Sequence, residues 1–526
     1  MTAAIDPRTP VVVGVGQYSE RIDDPDYRAL SAVELAAAAS RAALEDCGAD
    51  VAVVARRIDT VAGVRQFEIS TPRASAPLGK STNYPRSVAH RLGADPADAI
   101  LEVAGGQGPQ HLVNEMTGAI AVGERSVALL FGSEAISTVR HLMSADERPD
   151  FSEAVDGQLN DRGYGLEGMG GKDYWIHGLL DAPSQYGLLE NARRSRIGLT
   201  RDQYRQQMAE LFEPFTRVAA TNPFAASPVE RSAAELAAIT TSNRMISDPY
   251  PRLLVARDQV NQGAAVLVMS VGAAVELGVP QDRWVFLHAH TDLRERNLLD
   301  RPDLSRAPSA VAATLGALEV AAVDVDQIAT FDLYSCFPIA VSNVCEGIGL
   351  STEDSRGLTL TGGLPYFGGA GNNYSMHAIA ETVRAMRERP GSHGLVGANG
   401  GTLSKYSVGI YSTTPRAWTA DRSSALQSDL DARPVAAFTH APEGNGRIET
   451  YTVRHTKSAP VGIIVGRLHS NDTRFLANPT DGDDELTDLL LRGEPVGAQI
   501  LVRPHESGNK ASLSSARLQK AAGGSR

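Results

Sequence analysis

Residues 104–114 read Ala104-Gly105-Gly106-Gln107-Gly108-Pro109-Gln110-His111-Leu112-Val113-Asn114, and the fold turns on this stretch. It follows an extended run, Ala99-Ile100-Leu101-Glu102-Val103, and opens a helix predicted to reach about Ala121. A buried strand that passes through glycines into a helix N-terminus belongs to a layered α/β protein. It also leaves backbone amides free to meet an anion or a carbonyl.

Outward from that turn, the 526 residues are enough for several domain-sized units and a large core. A net charge of −12 argues against a nucleic-acid footprint. The three cysteines, Cys47, Cys336 and Cys345, form no disulfide framework, and a cytoplasmic location is expected. No run approaches the ~18 apolar residues of a membrane span, so no membrane partner is expected. The start, MTAAIDPRTP, has no secretory pattern, and the end, GGSR, carries no lipidation or targeting tag.

Pro10 to Gln17 reads as a buried strand, and Ser31 to Cys47 as a helix with a Ser31/Glu34 capping box and Gly48 behind it. Strands are predicted at Ile58–Val64 and Ser126–Phe131. Residues 135–255 are polar, Arg-rich and helical, and read as an insertion without a convincing buried strand. The buried texture returns at Gln262 to Ser270. A second half follows, with strands at Trp284–His290, Ile328–Leu333, Gly394–Val396 and Tyr406–Tyr411 around a helix at Pro308–Ala321. A faint helix–strand repeat, Ala43-Leu44-Glu45 and Ile58-Asp59-Thr60 against Ala317-Leu318-Glu319 and Ile328-Ala329-Thr330, fits a duplication.

Beyond about Ala417, short strands are predicted at Pro434–Thr439, Gly446–His455, Ala459–Leu468, Phe475–Asn478 and Ala498–Arg503, with a helix at Asp484–Arg492. They suggest a small OB-like barrel or open sheet. The domains are thus 1–134 with 256–275, the insertion 135–255, the second half 276–416, the β-rich domain 417–505, and a tail 506–526 poor in apolar residues and expected to be disordered.

Several motifs carry little. Gly14-Val15-Gly16 lacks the third glycine of a dinucleotide turn, since Ser19 stands there. Gly79-Lys80-Ser81 lacks the earlier glycine of a P-loop. His288 and His290 share a strand face but have no third ligand at a recognisable spacing, so no metal site is assigned.

Four segments carry a resemblance to the thiolase superfamily. Gly108-Pro109-Gln110 fit the Gly-Leu-Gln of the nucleophile turn, which puts Gly105 in the nucleophile's place. Tyr334-Ser335-Cys336-Phe337 occupy the His-Asp-Cys-Phe loop of sterol-carrier-type thiolases, matching at Cys336 and Phe337. In TGGLPYFGGAGNN (Thr361–Asn373), Gly362, Gly363 and Gly368 match Gly-Gly-x-x-x-x-Gly-His-Pro, but Gly369 stands for the histidine and Ala370 for the proline. GANGGTL (Gly397–Leu403) resembles the fourth, glycine-rich turn, with Asn399 near the cysteine's place.

The resemblance covers about residues 10–415. With the added C-terminal domain it points to the thiolase-like proteins of type 1. It implies a duplicated five-layered αβαβα fold with an inserted helical loop domain, and a CoA or acyl-CoA ligand of lipid metabolism. No other cofactor is expected; a homodimer and a hetero-partner both remain open. Gly105 cannot form an acyl-enzyme, so true thiolase activity is doubtful despite the acyltransferase fold. Tyr334, Cys336 and Tyr374 become the catalytic candidates. Gly105, Gln107, Gly369, Asn399, Gly400 and Gly401 become candidates for substrate binding. Their alternatives are retro-aldol cleavage of an acyl-CoA by Tyr334 and Cys336, or a non-catalytic binder or partner subunit.

Overall fold

The capping box forms as expected. Helix Ala32–Asp46 starts at Ser31, whose hydroxyl accepts from Glu34 N while the Glu34 carboxylate accepts from Ser31 N at 2.8 Å. The computed structural model describes residues 5–167 and 169–516. This helix lies on strands Pro10–Ser19 and Asn261–Ser270 at three glycines. A Cβ at Gly14, Gly16 or Gly263 would stand 2.1, 2.0 or 2.6 Å from the carbonyl oxygen of Ala43, Ala39 or Leu35. Gly14 and Gly16 therefore serve close helix–sheet approach.

The first sheet runs in the order Pro10–Ser19, Asn261–Ser270, Val127–Ala135, Thr60–Gly63, Asp98–Leu101, Asn160–Asp161. The second runs Ile328–Leu333, His393–Gly400, Lys405–Ser412, Phe286–Arg294. Helices Gly108–Ala121 and Tyr374–Glu388 lie between the sheets and touch both. Helix Ala32–Asp46 covers the outside of the first sheet and Pro308–Ala321 the outside of the second. The result is the five-layered αβαβα arrangement expected from the sequence. At the seam, Val12 and Val285 exchange backbone hydrogen bonds at 2.8 and 3.0 Å.

The regular structure of the insertion is mainly helical, with Ala182–Arg196 and Arg201–Thr221 as its longest elements. It is not free of strands. Asn160–Asp161 extends the first sheet in parallel to Asp98–Leu101, and Met245–Ser247 and Tyr250–Pro251 extend the C-terminal sheet. All three are too short for a sequence pattern.

The C-terminal strands Gly444–His455, Pro460–Leu468, Arg474–Pro479, Lys510–Ser512 and Gln499–Arg503 are neighbours in that order, and the last pairs back to the first. This closes a five-stranded barrel with helix Asp484–Arg492 between its third strand and Gln499–Arg503, an OB-like plan. Two expectations need correction. Pro434–Thr439 is no strand and makes one isolated bridge, Phe438 to Arg474. The expected disordered tail instead supplies a strand: Lys510–Ser512 buries Ala511 and is fixed by Ser512 Oγ donating to Asp483 Oδ2 at 2.6 Å. Its backbone bonds, invisible to hydropathy, close the barrel. The rest of the tail, 517–526, lies outside the described residues. Among the described residues, no helix is long and apolar enough to cross a membrane.

Candidate functional site

The first loop, Ala104–Gln107, leaves strand Asp98–Leu101 and enters helix Gly108–Ala121. Gly105 has φ 143, a region open to glycine, and a Cβ there would stand 2.1 Å from Gln107 Oε1. A Cβ on Gly400 would stand 1.8 Å from the same oxygen. The Gln107 carboxamide thus fills the space beside Gly105 in which a nucleophile's side chain would sit. Its Oε1 is buried without a hydrogen-bond partner among the described residues.

The third loop is tied to the first by two side chains. Asn372 Oδ1 accepts from Gly105 N at 2.8 Å, while Asn372 Nδ2 donates to Arg65 O at 2.7 Å and Ser70 Oγ at 2.9 Å. Ser375 Oγ donates to Gly106 O at 2.6 Å. The second loop begins where Tyr334 N donates to Gly397 O at 3.1 Å and ends at helix Pro338–Ile348.

These loops enclose a cavity of about 710 Å³ with largely apolar walls. Tyr334, Cys336, Gly105, Gly369, Asn399 and Gly401 all face it, so two of the three catalytic candidates meet the vacant nucleophile position in one chamber. A Cβ on Gly106 would touch the Tyr334 hydroxyl at 2.1 Å, which places that hydroxyl against the first loop. Arg257 and Asp258 are the charged lining residues.

Tyr374 is not brought to the cavity. It packs edge-on behind Tyr334 at 5.3 Å, and its hydroxyl is engaged by Thr361 Oγ1 at 2.6 Å and Asp332 Oδ1 at 3.1 Å. Asp332 also accepts from the backbone of Leu360 and Thr361, so this network shapes the third loop from behind. Gln107 and Gly400 do not line the cavity either; Gln107 faces a neighbouring cleft with His111 and Lys405. His377 is fully buried, bonded to Gln17 Oε1 at 2.7 Å, with burial pushing its imidazole down to about 3.

Burial pushes the Cys336 thiol up to about 12, with hydrogen bonds from Tyr186 and Asn399 opposing it. Burial raises the Tyr334 phenol further still, assisted by Cys336. At neutral pH both groups therefore keep their protons and face the cavity as donors. Asn399 Nδ2 points between Tyr186 Oη at 2.7 Å and Cys336 Sγ at 3.6 Å.

Tyr186 and Asn372 are the site residues that sequence reasoning missed. Tyr186 comes from the inserted helix Ala182–Arg196, stacks on Phe337 at 4.2 Å and lines the cavity. Nothing local marks it, because its hydrogen-bond partners lie more than 200 residues away in the chain. Asn372 carried a weak signal, the first of two adjacent amides that close a glycine-rich loop.

Glu102, His111 and Glu115 bring three potential metal ligands within 4.8 Å of one another. Arg162 already serves both carboxylates, at 2.6 Å to Glu102 and 2.7 and 2.6 Å to Glu115, so a divalent cation would compete with a guanidinium in place. His288 is committed to Thr414 O at 2.7 Å and to His393 at 3.2 Å.

Burial opposes a charge on His111, but the hydrogen bond and charge of Asp292, with Glu102 and Glu115 nearby, outweigh it and raise the imidazole to about 9. Its folded value lies above the ordinary value of about 6.5, so its stabilising effect is whole below about 6.5 and fades as pH rises through about 9. The gap in thermal stability between wild type and His111→Asn is expected to shrink over that window. A gap that stays constant would exclude a charged His111.

A family model described as the thiolase-like protein type 1 additional C-terminal domain matches residues 425–507. A monomeric SCP2-thiolase like protein type 1 from Mycobacterium smegmatis is 53% identical, with 97% of this chain and 100% of that one covered and a TM-score of 0.85. The dimeric peroxisomal thiolase of Saccharomyces cerevisiae shares the fold at 13% identity, 78% and 98% coverage and a TM-score of 0.56. So does an Ltp2-ChsH2(DUF35) aldolase, at 18% identity, 77% and 98% coverage and a TM-score of 0.54. No curated protein matches the chain.

Proposed function

Because the chain belongs to the SCP2-thiolase-like proteins of type 1, we propose that it binds CoA or an acyl-CoA of fatty acid or sterol metabolism without forming an acyl-enzyme. One observation carries the reading: the Gln107 carboxamide stands in the nucleophile's space at Gly105, while the adjoining chamber is kept open and lined with proton donors. A thioester carbonyl entering there meets the Tyr334 hydroxyl and the Cys336 thiol, both protonated. Donors aimed at a carbonyl oxygen stabilise an enolate. The apolar walls suit an acyl chain.

A second reading is retro-aldol cleavage of a β-hydroxyacyl-CoA, favoured by Tyr334 and Cys336 facing one chamber. A base takes the β-hydroxyl proton, the bond between the α and β carbons breaks, and its electron pair moves into the thioester enolate, which a donor then protonates at the α-carbon. Tyr334 and Cys336 supply the donors. The proton acceptor must come from elsewhere, and Asp258 is the carboxylate on the wall.

Calorimetric titration with CoA and with acetoacetyl-CoA tests the first reading. Micromolar binding of at least one is expected. Absence of heat with both would leave the scaffold without its ligand and sink the reading. Product analysis with β-hydroxyacyl-CoA esters then separates a cleaving enzyme from a binder.

A further inference from the structure

The fourth loop is held in a conformation it would not choose alone. Leu403 is 1% exposed with φ 50, two residues after Gly401 with φ 62. A left-handed leucine is strained and persists where its surroundings over-determine it. Tyr186 Oη donates to Gly401 O at 2.8 Å and accepts from Leu403 N at 3.1 Å. From the other side comes Arg301, itself 1% exposed, whose Nη2 reaches Thr402 O at 2.7 Å, Ser404 Oγ at 3.3 Å and Leu403 O at 3.4 Å.

Arg301 is held in turn by the C-terminal barrel. Arg474, fully buried on strand Arg474–Pro479, donates from Nη1 to Leu299 O at 2.7 Å and Arg301 O at 2.6 Å. Its remaining edge is paired with Glu449 of strand Gly444–His455, through Nε at 2.8 Å and Nη2 at 2.6 Å. Ala436 N adds a bond to Asp300 O at 3.0 Å. The bonds from Arg301 to the carbonyls of Thr402 and Leu403 and from Arg474 to those of Leu299 and Arg301 are buried, so a shift at one end leaves a desolvated group unpaired at the next.

We propose that Arg474 and Arg301 are positioning residues through which the barrel fixes the Asn399–Ser404 loop, and with it one wall of the cavity. The proposal deepens the reading above, because it takes the cavity as the ligand site. The added domain is then part of the machinery of the site, although no barrel residue lines the cavity among the described residues.

Amide hydrogen exchange of the full-length protein tests the link without any ligand. In Arg474→Met and in Arg301→Lys, amides of residues 400–404 are expected to exchange at least about tenfold faster than in wild type. Arg447→Met removes an exposed barrel ion pair to Asp472 and is expected to leave that loop unchanged. If Arg474→Met does not fold, Arg474→Lys carries the same expectation, since one ammonium keeps Glu449 paired but cannot also span both carbonyls. Unchanged exchange at 400–404 in a folded Arg474 variant overturns the proposal, as does equal loosening in Arg447→Met. CoA titration of the same proteins keeps the two readings apart. A wild type that binds no CoA sinks the proposed ligand while the exchange data still decide the link. A wild type that does bind is expected to weaken about tenfold on Arg474 substitution.

Discussion

Purified protein supplied with acetoacetyl-CoA and CoA is expected to cleave it about 10⁶-fold more slowly than a cysteine thiolase, the cost of losing a covalent nucleophile in a well-studied hydrolase. Loss of the acetoacetyl-CoA enolate absorbance measures it directly. Gly105 has no side chain to acylate, Gly369 offers no base, and the nearest downstream histidine, His377, is buried against Gln17. Gly105→Cys alone is expected to leave the rate unchanged. Its Cβ would arrive 2.1 Å from Gln107 Oε1 on a backbone with φ 143. A wild-type rate within tenfold of a working thiolase would show that another group attacks the thioester, and would remove the argument from Gly105.

The largest stability effect is expected at Gly16. Gly16→Val forces a Cβ to 2.0 Å from Ala39 O and 2.4 Å from Ala43 N. Both are backbone atoms in the interior of helix Ala32–Asp46, which cannot swing away as a side chain end would. The helix must lift from the sheet, opening the contact that buries Val13, Leu35 and Ala39. A loss of about 3–5 kcal/mol is expected, above the usual range for overpacking. Gly170→Val, where an added Cβ meets nothing within 4 Å, is expected to change stability by less than about 0.5 kcal/mol. Denaturant unfolding of the pair measures the difference. A loss below about 1 kcal/mol at Gly16 would mean that the helix is not clamped to these strands.

The parts of the fold written in local periodicity were legible in advance. The capping box at Ser31, the strand–glycine–helix turn at Gly105 and the buried strand at Gln262–Ser270 each rest on neighbours within a few residues. So does Tyr334–Phe337, where a strand ends and a helix starts. What stayed hidden depends on partners far along the chain. Lys510–Ser512 looked like a polar tail because its stability lies in backbone pairing with Asn478–Pro479 and Leu501–Arg503, which leaves no mark in hydropathy. Pro434–Thr439 has the composition of a strand, but it meets the barrel only at Arg474, through the single bridge of Phe438. Tyr374 shares the aromatic signature of Tyr334; only the path of the third loop turns one hydroxyl to the cavity and the other towards Asp332. Tyr186 acts across 213 to 217 residues and Asn372 across 267 to 307, distances at which a single sequence holds no register.

The side chain of Gln107 also limits what one mutation at position 105 can do. A single base change turns common glycine codons into cysteine codons, so position 105 lies within easy mutational reach of a nucleophile. The space for its sulfur is occupied, however, so a cysteine at 105 requires Gln107 to move as well. Position 105 is therefore one base from a cysteine but two side chains from room for one: a single substitution meets the clash at Gln107 before it can bring any gain.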